Sequence, residues 1–310
     1  MATDQSPKTA QSYAPLSAVA SMADDLTKND LSSVRSFFAA HGTPDPRVVW
    51  SPQVATLGSP VLRSFSEVCD VLGTPEGLIP SASFGLDAFD GLERWMMVLE
   101  RDGEHFRYAH YGAEIRDHYG HDMTGKTTAD FGGYISIFFD ALYHAAMRRA
   151  ERVMSEHEPP RRIFVRSWRR LIVPLIDADG AVTGFVGANI PDNELRAGLE
   201  MITDPVIVTD REAKVLYANA AAHQFFHAAP CPLPELTTMT GLNLSGLKPP
   251  EVLLARREVV ERLELTQDKT GLMETVALSI SAAEHRGHAY YVLHVRPLDR
   301  GWPTDPQGER

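Results

Sequence analysis

The chain has 310 residues, of which 44% are hydrophobic and 23% charged, a composition typical of globular proteins with room for about two domains. Its net charge of −11 argues against general nucleic-acid binding, which favours a basic excess. No stretch approaches the roughly 18 apolar residues of a membrane-spanning helix, and the N-terminus lacks the basic and apolar segments of a signal peptide. We therefore expect no membrane insertion. Cys69 and Cys231 are far apart and lack metal-type spacing, so we expect a reducing, cytoplasmic setting.

Residues 1–42 are predicted to form an N-terminal extension with one helix. Residues 1–23 carry little apolar mass, so we expect them to be mobile. Asp30 is placed to cap a helix over 31–41, whose exposed aromatic pair needs a partner in the first domain or in another subunit. A lead-in rich in Pro and Gly follows at 43–84, where only one or two helical turns are predicted.

The first domain is predicted to span residues 85–190. Its predicted elements are strands at 95–99 and 106–111, helices at 113–119 and 134–157, and strands at 163–168, 171–176 and 182–190. Apolar residues recur at helical spacing along 134–157, which predicts the long helix, and the pair Pro159-Pro160 is expected to end it. Five strands of this kind predict one antiparallel sheet.

A connecting helix is predicted within 191–204, capped by Asp192 or Asn193. The second domain, at 205–298, is predicted to hold a hairpin at 205–219, a helix at 251–265, and strands at 273–281 and 288–297. A third strand is unclear unless 262–265 supplies it, so a weakened sheet is expected. The tail at 299–310 is predicted to be disordered.

One pattern occurs twice in the chain. Pro205–Asn219 reads as strand, acidic turn and strand, and closes on Tyr217-Ala218-Asn219 before a helical stretch. Trp95–His110 reads the same way and closes on Tyr108-Ala109-His110, at an offset of 109 residues. A repeat of this length indicates duplicated domains, since solenoid repeats span only about 20–50 residues.

At these residues the sequence resembles the PAS family of sensor modules, in which a first strand ends in Asp, a second ends in Tyr-x-Asn, and a short helix leads to a Gly-rich turn. His110 departs from the pattern by replacing the Asn, while 120–126 resembles the turn. The resemblance implies an α+β fold with two PAS-like domains, each a five-stranded antiparallel sheet with flanking helices. It also implies a bacterial-type tandem sensory protein with no output domain in the chain.

The resemblance points to one candidate cofactor site, because haem-binding members of the family carry their axial histidine on the helix before the third strand. His144 lies at roughly that place, and haem is therefore one candidate cofactor. The alternative is an ordinary histidine on an amphipathic helix. The further residues expected near a cavity in the first domain are Met96, Phe106, Tyr134, Phe138, Phe164, Trp168 and Phe185.

Other clusters have less specific interpretations. The spacing of His105 and His110 does not favour a metal site, and the motifs of common enzyme classes are absent, so no catalytic residue is predicted. The run 161–170 carries five arginines, which suit an anionic ligand or an acidic partner. A solvated sheet face is the favoured interpretation of this run.

These features predict a signalling or adaptor protein that acts through contacts with a protein partner and through self-association, as a dimer, with gating by a ligand in the first domain as an added option. The alternative function is a sensor that binds haem or a small metabolite in that domain.

Overall fold

The chain divides into two units, each with its own sheet. The computed structural model describes residues 16–160, 164–192, 194–229, 232–267, 273–285 and 287–298. The first unit comprises the described residues of 1–116, 122–160 and 167–192, and the second those of 117–121, 161–166 and 193–310. The predictions for residues 1–15, Asn193, Cys231 and the tail at 299–310 fall outside the described residues.

The described part of the first unit holds one sheet of seven strands. The strands are β1 Arg47–Trp50, β2 Ile79–Pro80, β3 Met96–Asp102, β4 His105–Tyr111, β5 Val153–His157, β6 Trp168–Ile176 and β7 Val182–Pro191. The order is β1-β5-β6-β7-β3-β4, all antiparallel, and β2 pairs with β6 in parallel. The prediction of five strands was wrong for this sheet, because the lead-in contributes β1 and β2.

Helices cover both faces of this sheet. They are α1 Leu16–Thr27, α2 Ser32–Ala40, α3 Pro60–Leu72, α4 Ala113–Tyr119 and α5 Gly133–Arg149. The apolar side of α3 shares a buried cluster with alternate residues of β6 and β7. The opposite face of the sheet meets α5, and α1 and α2 pack on α5 in turn.

The N-terminal extension contains two helices, not the one predicted. Residues 16–23, predicted to be mobile, belong to α1, where Met22, Ala23 and Leu26 are buried. The N-cap of α2 is Leu31, not the predicted Asp30, whose carboxylate lies one residue earlier and accepts a hydrogen bond from the backbone N–H of Ser32 at 2.8 Å. Phe38 of α2 packs against the rings of Tyr134 and Phe138, so this aromatic residue has its partner within the first unit.

The predicted helix over 134–157 is really a helix followed by a strand. Ala150 adopts a left-handed conformation at φ 44° and ψ 54° and ends α5, nine residues before Pro159. The segment that follows pairs with β6 as β5, Val153 opposite Ile172. The predicted strand at 163–168 was therefore wrong for its described residues: 164–167 is irregular, and β5 is the first strand after the hairpin of β3 and β4.

The described part of the second unit has one five-stranded antiparallel sheet. Its strands are β8 Val206–Thr209, β9 Val215–Ala218, β10 Val260–Gln267, β11 Met273–His285 and β12 His288–Pro297, in the order β10-β11-β12-β8-β9. Its helices are α6 Glu194–Glu200, α7 Ala220–Phe226, α8 Leu236–Thr240 and α9 Pro250–Arg256.

The predicted helix over 251–265 was wrong beyond its first turns. Arg257 adopts a left-handed conformation, φ 51°, and ends α9. The chain then extends into β10, which pairs along its length with β11, Leu263 opposite Ala277. The second sheet therefore has its third strand and is not the weakened sheet that the sequence predicted.

The two sheets follow the same strand order once β1 and β2 are set aside. Counted from the first strand of each hairpin, neighbours run second, first, fifth, fourth, third in both. A seven-residue helix, α4 or α7, follows the second strand in each unit. The pairs Leu99–Tyr108 and Val208–Tyr217 are equivalent and keep the predicted offset of 109 residues.

Candidate functional site

A row of polar side chains crosses the core of the first unit. Ser155 on β5 lies opposite Arg170 on β6, and Arg170 lies opposite Asn189 on β7. Residues directly opposite in adjacent strands project to the same face, about 5 Å apart. The exposed fractions are 0% for Ser155, 3% for Arg170 and 4% for Asn189, so three polar side chains lie inside an apolar core.

Helix α5 covers this row with aromatic side chains. The guanidinium carbon of Arg170 lies 4.0 Å from the ring centroid of Phe139, and its Nη1 donates a hydrogen bond to the Tyr143 hydroxyl at 3.2 Å. Arg170 Nε, Asn189 Oδ1 and Ser155 Oγ are buried and have no hydrogen-bond partner among the described residues. Buried polar atoms are normally paired, so this row is an exception that calls for a ligand or for water.

The burial of Arg170 corrects the interpretation of the arginine-rich run as a solvated face. Arg169, its neighbour, fits that interpretation, because it is half-exposed and pairs with Glu156 at 3.0 Å on the other side of the sheet. Arg170 points the opposite way, since successive side chains in a strand alternate between faces. The alternation of side chains along β6 is visible in the sequence, but the sequence does not show that α5 covers the face on which Arg170 lies.

A second polar group lies at the edge of the same core. Asp140 of α5 is 2% exposed and accepts hydrogen bonds from Thr128 Oγ1 and, at 2.7 Å, from His105 Nδ1. Burial raises the pKa of Asp140, and the hydrogen bonds from Thr128 and His105 oppose that rise. Thr128 Oγ1 also accepts from the Phe106 N–H at 3.1 Å, so this group fixes α5 against β4.

Burial raises the pKa of Tyr108 well above its usual value, and nearby Tyr143 raises it further while Arg170 opposes the change. Tyr108 therefore stays neutral beside Arg170, and its phenol supplies no counter-charge.

The structure brings together only some of the predicted cavity residues. Phe106 and Phe185 meet at 5.6 Å between centroids, and Phe138 lies 5.7 Å from the His157 ring on the same face. Trp168 is buried two residues before Arg170 on β6. Tyr134 is half-buried and donates to the Glu158 carbonyl at 3.2 Å.

Two of the predicted residues lie elsewhere. Met96 belongs to the buried cluster under α3, on the opposite face of the sheet. Phe164 belongs to the second unit, where it stacks on Tyr217 at 5.5 Å. Sequence reasoning did not select Ser155, Asn189 or Tyr143, because the register that aligns them is not visible in a linear sequence.

His144 does not have the setting of a haem ligand. Its Nε2 lies 2.9 Å from the Glu104 carbonyl oxygen and therefore donates a proton to it, so the nitrogen lone pair needed for iron is not presented there. The ring is half-buried and packs edge-on against Phe106 at 5.2 Å. The residues present do not fit haem with His144 as its ligand.

In the second unit, Asn219 holds the connecting segment against the sheet. Its Oδ1 accepts from the N–H groups of Val206 and Ala222, both at 2.9 Å. Its Nδ2 donates to the carbonyls of Ile202 and Asp204, both at 3.0 Å. The residue at the predicted equivalent position, His110, makes one such contact, to the Glu93 carbonyl at 2.9 Å.

We call Asn219 the clamp of this connecting segment, and Glu200 of α6 reinforces it. One carboxylate oxygen accepts from the Tyr217 hydroxyl at 2.7 Å and the other from the Ala220 N–H at 2.9 Å. Burial, and then Glu200, raise the pKa of Tyr217 above its ordinary range. The end of α6 is therefore tied both to the second strand of the hairpin and to the start of α7.

Among the described residues, no group of three or more His, Cys, Asp or Glu side chains is arranged to hold a metal ion. None of the helices in those residues has the length and apolar character needed to cross a bilayer.

Comparisons with known proteins return structures but no sequence relatives. No family model and no curated protein matches the chain. The E. coli DhaR(N)-DhaL complex matches with 14% identity and a TM-score of 0.26 over 42% of this chain and 56% of that one.

The PAS domain of nitrogen regulation protein NR(II) from Vibrio parahaemolyticus matches with 14% identity and a TM-score of 0.29, over 34% of this chain and 98% of that one. An RNA-binding Light-Oxygen-Voltage receptor matches with 10% identity and a TM-score of 0.24, over 66% of this chain and 94% of that one. Several of the matching structures are PAS domains, each covering about a third of this chain.

Proposed function

We propose that the chain is a cytoplasmic tandem PAS-type signalling protein, without catalytic activity, that works through self-association and contact with a protein partner. The observation that carries this proposal is the strand order common to both sheets, each with a hairpin followed by a seven-residue helix. It supports the sequence resemblance at 95–126 and 205–226 with an independent property, the topology. Two units of one architecture in one chain suit a relay between a sensing part and a contact part.

We assign self-association to the connecting segment at residues 194–202. Three of its apolar side chains are exposed, Leu195 by 41%, Met201 by 84% and Ile202 by 38%, which is an unusual share of exposed apolar residues for nine residues. Helix α2, the other candidate, is already covered, because Phe38 is buried and meets the Phe138 ring at 5.0 Å within the first unit.

The test is sedimentation equilibrium of the full chain at micromolar concentration. The wild type is expected to be a dimer, and Met201→Glu combined with Ile202→Glu is expected to weaken it at least about tenfold, since buried charge at an interface costs more than about 1.4 kcal/mol. Val71→Glu is the matched control, because Val71 is an equally exposed apolar residue, at 86%, on α3. A strictly monomeric wild type, or equal weakening by the control, would overturn the assignment.

A second candidate function, sensing of a small ligand by the first unit, is favoured by one observation. Arg170, Asn189 and Ser155 place polar atoms without partners among the described residues between the sheet and α5. A ligand bound there would contact α5, which also carries α1 and α2, and so would be coupled to the N-terminal helices.

A further inference from the structure

The guanidinium of Arg170 is a buried cation, and no carboxylate among the described residues pairs with it. Its hydrogen-bond acceptor is the Tyr143 hydroxyl, and its charge also interacts with the face of the Phe139 ring and with Tyr108. A guanidinium keeps its proton in proteins, and a buried charge is normally paired with an opposite charge. A cation–π contact offsets only part of the desolvation of an ion.

We propose that the face of β5, β6 and β7 under α5 binds a small organic monocarboxylate, whose carboxylate pairs with Arg170 while Ser155 and Asn189 hydrogen-bond to it. This rests on the proposed sensory role for its biological meaning, but binding itself is measured separately. The contacts are non-covalent, and no bond is made or broken.

The side of the guanidinium that is available sets the class of ligand. Nη1 is engaged by Tyr143, whereas Nε, part of the fork that carboxylates bind with two parallel hydrogen bonds, is not. Ser155 Oγ lies on the strand beside it and adds a hydroxyl that donates to an anion. Asn189, on the other side, serves a carboxylate or a neighbouring hydroxyl of the ligand through whichever end of its amide faces inward.

Charge balance favours one negative charge over two. A monoanion neutralises Arg170, whereas a phosphate dianion would leave an unpaired negative charge in the same core. The side chains beside Arg170 are aromatic, with Phe139 over the guanidinium and the Phe185 ring stacked on Tyr143 at 5.5 Å. Apolar neighbours of this kind suit a ligand with an aliphatic or aromatic body behind its carboxylate.

The experiment titrates the full chain with acetate, propionate, benzoate and phenylacetate, each paired with its uncharged amide, and with inorganic phosphate. Calorimetry and the thermal midpoint are the readouts. At least one carboxylate is expected to bind and to raise the midpoint, and its amide to bind at least about tenfold more weakly, as the loss of a charge-assisted hydrogen bond implies.

Two variants test the residue. Arg170→Met is expected to abolish carboxylate binding while the ligand-free protein stays as stable as the wild type or becomes more so, because an unpaired charge leaves the core. Arg169→Met is the matched control, since Arg169 is adjacent, half-exposed and on the opposite face. Its affinity is expected to stay within about twofold of wild type, as is usual for surface substitutions.

If Arg170→Met fails to fold, Asn189→Leu gives the same test from the neighbouring strand, with weaker carboxylate binding expected. The proposal is overturned if no carboxylate binds, if an amide or phosphate binds as well as the carboxylate, or if Arg170→Met or Asn189→Leu leaves affinity unchanged. These outcomes are separate from sedimentation: a dimer that binds no carboxylate defeats only this inference, and a monomer that binds one defeats only the self-association proposal.

Discussion

Removing the side chain of Asn219 is expected to lower the stability of the second unit more than removing the side chain of an exposed asparagine would. In Asn219→Ala, the N–H of Val206, which is 2% exposed, loses its acceptor, at a cost of about 1–3 kcal/mol. The N–H of Ala222 loses a helix cap, worth about 1 kcal/mol. The carbonyls of Ile202 and Asp204 lie on more exposed residues and recover water, so they add little. The total is about 3 kcal/mol.

Hydrogen–deuterium exchange of peptides from 205–229, read by mass spectrometry, measures this loss locally. A loss of about 3 kcal/mol corresponds to roughly hundredfold faster exchange. Asn243→Ala is the control, because the Asn243 carbonyl oxygen serves only Ser245 in an exposed turn, and its effect is expected to stay below about 1 kcal/mol. If both variants exchange alike, Asn219 is not the clamp that its hydrogen bonds indicate.

Two further outcomes follow from buried groups. Burial raises the pKa of the Cys69 thiol to about 12, so in a Cys231→Ser background it is expected to react with a disulfide reagent at pH 8 only after unfolding, and fast reaction in the native protein would contradict this. Burial lowers the pKa of His223 below its unfolded value of 6.5, while its Nδ1–H donates to the Ala228 carbonyl. The neutral form is thus favoured by folding, and the contribution is lost as the pH falls from 6.5 toward the lowered pKa. Urea denaturation from pH 7.5 to pH 5 is expected to show a smaller loss in His223→Gln than in the wild type, and parallel curves would refute the assignment.

Both hairpins could be predicted from the sequence because their information is local. Short apolar runs bounded by turn residues define β3, β8 and β9, and β4 alternates between buried and exposed residues. The Asp210 carboxylate accepts hydrogen bonds from the N–H groups of Glu212 and Lys214 and so fixes the turn. The Tyr-Ala-Asn ending was also correctly singled out, since Asn219 caps α7. Such contacts span only a few residues and leave a recognisable pattern.

The ends of two helices could not be predicted, and each error moved a strand. Ala150 and Arg257 both take the left-handed conformation that Gly or Asn usually marks, so nothing in the residue type announced the stop. The segments that follow, β5 and β10, carry apolar residues at a spacing that also suits a helix. They form strands because they pair with β6 and β11, both of which come later in the chain.

The row at Ser155, Arg170 and Asn189 could not be predicted for a related reason. Its members are separated by 15 and 19 residues in sequence and meet only through the register of three strands. The composition of the arginine-rich run indicated affinity for anions, and only the position of α5 shows that Arg170 has no access to bulk water.

The position of β1 has a practical consequence for anyone dividing this chain into fragments. A fragment beginning at residue 85, where the sequence places the first domain, would lack β1 and leave the backbone of β5 open along one side. It would also lack α3 and bare the apolar side chains of Leu171, Val173 and Val186. An open strand edge beside bare apolar surface is a template for intermolecular pairing. A first unit that keeps β1 and α3 therefore has to begin upstream of β1, and a fragment that begins at residue 85 is expected to aggregate.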